Sequence, residues 1–253
     1  MRIWQVIPLA ALVTGGVHAE EMPVDLELVL AVDVSGSVDQ WEAQQQRDGY
    51  VSALADPAVA QAIRSNYYGR IAVAYVEWAG AQQQRTLIDW RLIDSPDSAK
   101  GYAAELAESP ITRAMYTSIS HAIDYSVPMF EGNGYAGERH VIDVSGDGPN
   151  NRGRPLAEAR AAALANGITI NGLPILNDRP QPWNGPTPME MNLDRYYAEQ
   201  VIGGPGSFTV VAEDFSAFRQ AILTKLILEI AGTTPDGPIR VAASLDAPYR
   251  HLE

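Results

Sequence analysis

Four short runs are apolar along most of their length: Leu26 to Val32, Ile71 to Val76, His140 to Val144 and Ile168 to Ile175. Runs of this kind, too short for helices and without polar alternation, predict strands covered on both faces, as in a parallel sheet. Thr86 to Leu92 alternates more and predicts an edge strand, and Phe208 to Val211 a short last strand. Between the strands the period becomes helical. Met115, Ile119, Ala122 and Ile123 share one helical face, and an Ala-rich stretch runs from Pro155 to Leu164 with a stop at Asn166-Gly167. Phe215, Phe218, Ile222, Leu226 and Ile230 form a stripe on a last helix, for which Asp214 is the expected N-cap. Strands alternating with helices predict an α/β fold: a doubly wound, mostly parallel central sheet, helices on both faces and one antiparallel edge strand.

The two ends of the chain break this pattern. Residues 1–19 carry Arg2, an apolar stretch from Ile3 to Val13 and the small-residue ending Val17-His18-Ala19, which predicts an export signal cleaved after Ala19. The apolar stretch is shorter than the roughly 20 residues that a membrane span requires. No transmembrane segment is expected after cleavage, because Lys225 and Glu229 interrupt the apolar run from Leu223 to Ile230. The expected location is therefore periplasmic or secreted, with residues 20–231 as one domain and 232–253, where periodicity is lost, as a tail.

Composition narrows the chemistry. Eighteen Lys and Arg against 31 Asp and Glu give a net charge of −13, which excludes a nucleic acid as partner because phosphate recognition needs a basic surface. The absence of cysteine excludes disulfides, thiolate metal sites and cysteine nucleophiles. Four scattered histidines do not make a zinc centre, and His121 and His140 read as structural.

Ligands of such sheets gather outside the carboxyl ends of the strands. The first strand is followed there by Asp33-Val34-Ser35-Gly36-Ser37, and the strand through Val144 by Gly146-Asp147-Gly148-Pro149. Between them, Thr117-Ser118-Ile119-Ser120 opens a predicted helix. Singly, these residues also suit caps and turns. Together, carboxylates and hydroxyls without His or Cys form a hard oxygen site suited to Mg²⁺, Mn²⁺ or Ca²⁺.

Asp33-x-Ser35-x-Ser37, then Thr117, then Asp147-Gly148 after an apolar strand, resemble the metal-ion-dependent adhesion site of von Willebrand factor A-like domains. The resemblance covers roughly residues 24–231, and more narrowly the chain looks like an exported bacterial branch of unassigned function. It implies that Ser35 and Ser37 bind the ion directly, that Thr117 does so in some states, and that Asp33 and Asp147 act directly or through water. It also implies that a carboxylate from a partner protein completes the octahedron. The segment Ile111 to Tyr116 departs from the family by lacking its glycines, so Thr112 and Ser118 stand beside Thr117 as alternatives for the third ligand.

The expected function is thus an exported binding module, not an enzyme, that recruits an acidic side chain of another protein to a divalent ion. The alternative is a metal-dependent hydrolase or phosphotransferase using Asp33 as nucleophile. Phosphotransferases of this architecture place a second carboxylate two positions after the first, where this chain has Ser35, and no general base lies nearby. Trp183, in the Pro-rich segment Asn177 to Met189, and Trp78, at the end of the second strand, are candidate partner contacts. Gly132-Asn133-Gly134-Tyr135-Ala136-Gly137 precedes a strand and therefore does not serve as a dinucleotide loop. Asp143-x-Ser145-x-Asp147 has Arg154 where a calcium loop needs glutamate.

Overall fold

A computed structural model describes residues 21–176, 186–187 and 190–242. The predicted export signal and Trp183 lie outside the described residues.

The chain opens with β1 (Met22–Val24), β2 (Leu26–Asp33), α1 (Gln40–Leu54), α2 (Pro57–Arg64), β3 (Ile71–Trp78) and β4 (Gln84–Ile93). It continues through α3 (Pro96–Glu108), α4 (Ile119–Ser126), β5 (Tyr135–Gly137), β6 (His140–Gly146), α5 (Leu156–Ala165) and β7 (Thr169–Pro174). The last elements are α6 (Leu193–Tyr196), β8 (Val210–Ala212), α7 (Phe218–Ala231) and β9 (Ile239–Val241). The central sheet has the order β4-β3-β2-β6-β7. All its neighbours are parallel except β4, which runs antiparallel to β3 at one edge.

The apolar runs follow from what covers the sheet. Leu26, Leu28, Leu30 and Val32 of β2 point into one layer with Tyr50, Ile63, Leu106 and Phe218 from the helices on that side. Val29 and Ala31 point into the opposite layer with Ile119, Ile123, Ala159 and Tyr197. Both faces of β2 are therefore apolar, each buried Leu or Val contributing about 1.5–3 kcal/mol relative to exposure. Loss of alternation is the sequence trace of this double burial.

One charged cluster lies inside the first layer. Lys225 on α7, fully buried, sits 2.7 Å from Asp143 of β6 and pairs also with Glu229 one turn further on. Asn171 of β7 donates to Glu229 at 2.9 Å. Burial and the nearby Glu229, only partly offset by Lys225, push the Asp143 carboxyl up to about 7.

Three expectations change. Met115 is not on the helical face with Ile119: α4 starts only at Ile119, where the Ser118 side chain accepts from the His121 amide, and Met115 is 64% exposed. The Phe208 to Val211 strand is Val210–Ala212 and lies outside the main sheet, beside which isolated bridges join Gly172 to Thr209 and Ile175 to Ala212. The tail is not wholly loose, because β9 pairs parallel with β8 and Ile239 and Val241 pack on the core.

Candidate metal centre

The carboxyl ends of β2 and β6 are adjacent in the sheet, and this adjacency joins residues more than a hundred positions apart. Asp33 closes β2, and the chain turns at once so that the Ser35 amide donates to Asp33 Oδ1 at 2.7 Å. A capping box then starts α1: the Glu42 amide donates to Asp39 Oδ1 at 2.8 Å and the Asp39 amide to Glu42 Oε2 at 2.7 Å. The turn is thereby fixed between a strand end and a capped helix, with both serine hydroxyls directed to one place. Ser35 Oγ and Ser37 Oγ lie 3.0 Å apart, and Ser37 donates to Asp147 Oδ1 at 2.6 Å. Thr117 Oγ1 approaches Ser35 Oγ at 3.4 Å.

The third segment is held by the loop after β6. The Thr117 amide donates to Asn151 Oδ1 at 3.0 Å, and the Asn151 and Arg152 amides return to the Thr117 carbonyl at 2.8 and 3.2 Å. The Ser120 amide donates to Asn150 Oδ1 at 3.0 Å. Gly153 passes against Ser118 and His121 with φ +91°, so close that a Cβ there would stand 2.2 Å from His121 Nδ1. His121 is thus a structural neighbour of the centre, hydrogen-bonded to Ser118 Oγ at 2.9 Å.

All five predicted oxygen side chains, Asp33, Ser35, Ser37, Thr117 and Asp147, are brought together. The alternatives for the third position point elsewhere: Thr112 donates to Glu77 Oε2 at 2.7 Å, and Ser118 donates to the Arg152 carbonyl at 2.9 Å. Glu77 is buried between Arg47 and Arg85, each at 2.7 Å, and takes no part in the centre. Trp78 lies elsewhere than expected. Its side chain is 0% exposed in the layer with Ile119 and Val144, so it is core and not a partner contact. The glycine-rich segment 132–137 sits at the opposite pole, where Asn133 and the Gly137 amide donate to the buried Glu27.

Electrostatics show what the cluster lacks. Asp33 is 1% exposed, and its Oδ2 has no hydrogen-bond partner among the described residues. Burial first, then the neighbouring Asp147 carboxylate, hold the Asp33 carboxyl well above its ordinary range. An unpartnered buried carboxylate oxygen costs desolvation energy that a cation would recover. Neutral hydroxyls and two carboxylates are the donor set for a hard divalent ion, and the residues present fit that group. Among the described residues no three His, Cys, Asp or Glu gather as a metal cluster, so the hydroxyls are essential to the fit.

Sequence reasoning missed Asn150, Asn151, Gly153 and Tyr197. The only sequence signal for the asparagines is their place directly after the Asp147-Gly148-Pro149 turn. Tyr197 is buried beneath the centre, and a Cβ on Gly146 would stand 2.8 Å from Asp33 Oδ2 and 2.9 Å from Tyr197 Oη, so any side chain at that strand end would displace them.

Comparison with known proteins places the fold. A family model described as "Protein of unknown function (DUF1194)" matches residues 23–234. No curated protein matches. Among solved structures, proximal thread matrix protein 1 from the mussel byssus is 16% identical with a TM-score of 0.58, covering 83% of this chain and 48% of its own. A second structure of that protein, 17% identical with a TM-score of 0.58 and covering 84% of this chain and 49% of its own, has a zinc-occupied MIDAS motif. A von Willebrand factor type A protein from Catenulispora acidiphila is 13% identical with a TM-score of 0.54, covering 83% of this chain and 43% of its own. This chain therefore spans less than half the length of these relatives, and the likeness establishes a von Willebrand factor A-like fold. Among the described residues no helix is long and apolar enough to cross a membrane.

Proposed function

Because this chain belongs to the family described as protein of unknown function (DUF1194) and has a von Willebrand factor A-like fold, we propose that it is an exported binding module. In this reading Asp33, Ser35, Ser37, Thr117 and Asp147 hold one divalent ion, Mg²⁺ or else Mn²⁺ or Ca²⁺. The bound ion supplies Lewis acidity and an open coordination position to an acidic side chain of a partner protein. The observation that carries the reading is the convergence of oxygen side chains from three distant segments, Ser35, Ser37, Thr117 and Asp147, beside Asp33, whose buried Oδ2 has no hydrogen-bond partner among the described residues.

Binding is a better use of this geometry than catalysis. Asp33 is enclosed, with Oδ1 engaged by the Ser35 amide, which suits an ion ligand better than an exposed nucleophile. Hydroxyl ligands leave more positive charge on an ion than carboxylates would, which lets a chain of net charge −13 attract an acidic group locally. The pattern of residues 1–19, read as an export signal, supports a location in the periplasm or outside the cell.

The test is capture of a partner from the extract of the exported compartment on immobilised protein. Retention in Mg²⁺, release by EDTA and absence from an Asp147→Ala column are expected. A partner held equally in EDTA and by Asp147→Ala would contradict the proposal.

A further inference from the structure

The wall beside the centre is unlike the rest of this acidic chain. A cleft of about 480 Å³ opens next to Ser37, lined by Gly36, Met115, Tyr116, Asn151 and Arg152. Met115 and Tyr116 are 64% and 50% exposed, and Trp41, on the first turn of α1 at the same pole, is 53% exposed. Half of the large apolar side chains exposed among the described residues are therefore at this pole. The charges on the wall are cationic: Arg113 donates to the Gly36 carbonyl at 3.3 Å, and the Arg152 guanidinium lies 4.3 Å from the centroid of the Tyr116 ring.

Tyr116 is held in this place against its backbone preference. Its φ is +69°, a left-handed conformation that a bulky residue rarely adopts. The hydrogen bonds from the loop after β6 to Thr117 fix the next residue, and Arg152 caps the ring. A strained, exposed aromatic packed under a guanidinium is an amphipathic anchor of the kind enriched at interface hot spots. It gains nothing from solvent and gains contact area once a partner covers it.

The geometry points to a specific partner chemistry: an exposed protein segment in which an acidic residue lies within a few positions of a large apolar one, with a second carboxylate nearby. This rests on the metal-dependent reading above. The first acid seats at the centre, the apolar side chain fills the Met115 and Tyr116 wall, and the second acid faces Arg152 and Arg113. Charge complementarity selects this occupant, because two exposed guanidiniums on a chain of net charge −13 favour an acidic segment and repel a basic one.

The experiment is selection of a displayed library of random peptides on the full chain in Mg²⁺, with elution by EDTA, followed by affinity measurement of the enriched peptides. Enriched sequences should carry Asp or Glu close to Trp, Phe, Leu or Met. Tyr116→Ala and Arg152→Ala should each weaken the best peptide about tenfold, the usual loss at an aromatic or Arg anchor. Both variants should bind Mg²⁺ as the wild type does. Enrichment of acids without apolar neighbours, or unchanged affinity in both variants, would overturn this inference and leave the metal reading standing. Peptides that bind equally in EDTA and to Asp33→Ala would overturn both, as would the absence of any peptide released by EDTA.

Discussion

Lys225→Met is expected to destabilise the fold by about 3–5 kcal/mol near pH 8, because it strands two carboxylates in the interior without their counter-charge. Lys225 is fully buried between Asp143 and Glu229, with the Phe208 ring 5.4 Å away, and the cluster in the native chain is one cation against two anions. The sign of the pH dependence follows from Asp143. Its carboxyl is raised from 3.8 to about 7 in the folded chain, so the native state binds the extra proton between those values. Stability from this group is fully present below 3.8 and is lost as pH rises through about 7. Removing Lys225 raises that carboxyl further, so the deficit of the variant should shrink on acidification from pH 8 to pH 5. Urea unfolding at both pH values checks this, and Asp143→Asn added to Lys225→Met should recover part of the loss. A deficit independent of pH would show that lost packing, not stranded charge, dominates.

Gly153→Ala should cost about 2–4 kcal/mol, the sum of a left-handed backbone penalty and overpacking against a fixed neighbour. The added Cβ would stand 2.2 Å from His121 Nδ1 and 2.6 Å from Ser118 Oγ, at φ +91°. Relief requires movement of the start of α4, and Thr117 precedes it directly, so affinity for Mg²⁺ should fall together with stability. Gly101→Ala provides the contrast. That glycine is inside α3 with nothing within 4 Å of the added atom, so stability should be unchanged or rise by up to about 1 kcal/mol. Thermal or urea unfolding of the two variants side by side measures the difference.

The parts of this protein that are legible in the sequence are those fixed by short range or by strand ends. Asp33, Ser35 and Ser37 lie within five consecutive positions at the end of an apolar run, so one turn places them all. Asp147 is readable for the same reason at the end of β6. The third hydroxyl is legible only as Thr117 with two rivals, because Thr112, Thr117 and Ser118 differ in tertiary partners: Glu77 takes Thr112, the start of α4 takes Ser118, and the Asn151 clamp holds Thr117. Trp78 reads as a candidate partner contact because a strand apolar on both faces carries no alternation to say which way a side chain points. Residues 239–241 look like tail because three residues are too few to show a period, although pairing with β8 orders them. Asn150 and Asn151 look like ordinary turn residues, and only the folded chain reveals that they grip the loop opposite.

The proposed binding module requires a cation seated among Asp33, Ser35, Ser37, Thr117 and Asp147. Calorimetric titration of Mg²⁺ into the metal-free protein, with Asp33→Ala beside it, addresses this without any partner. One ion per chain in the wild type and no measurable heat of binding in the variant are predicted. Superimposable titrations of the two proteins would contradict the account.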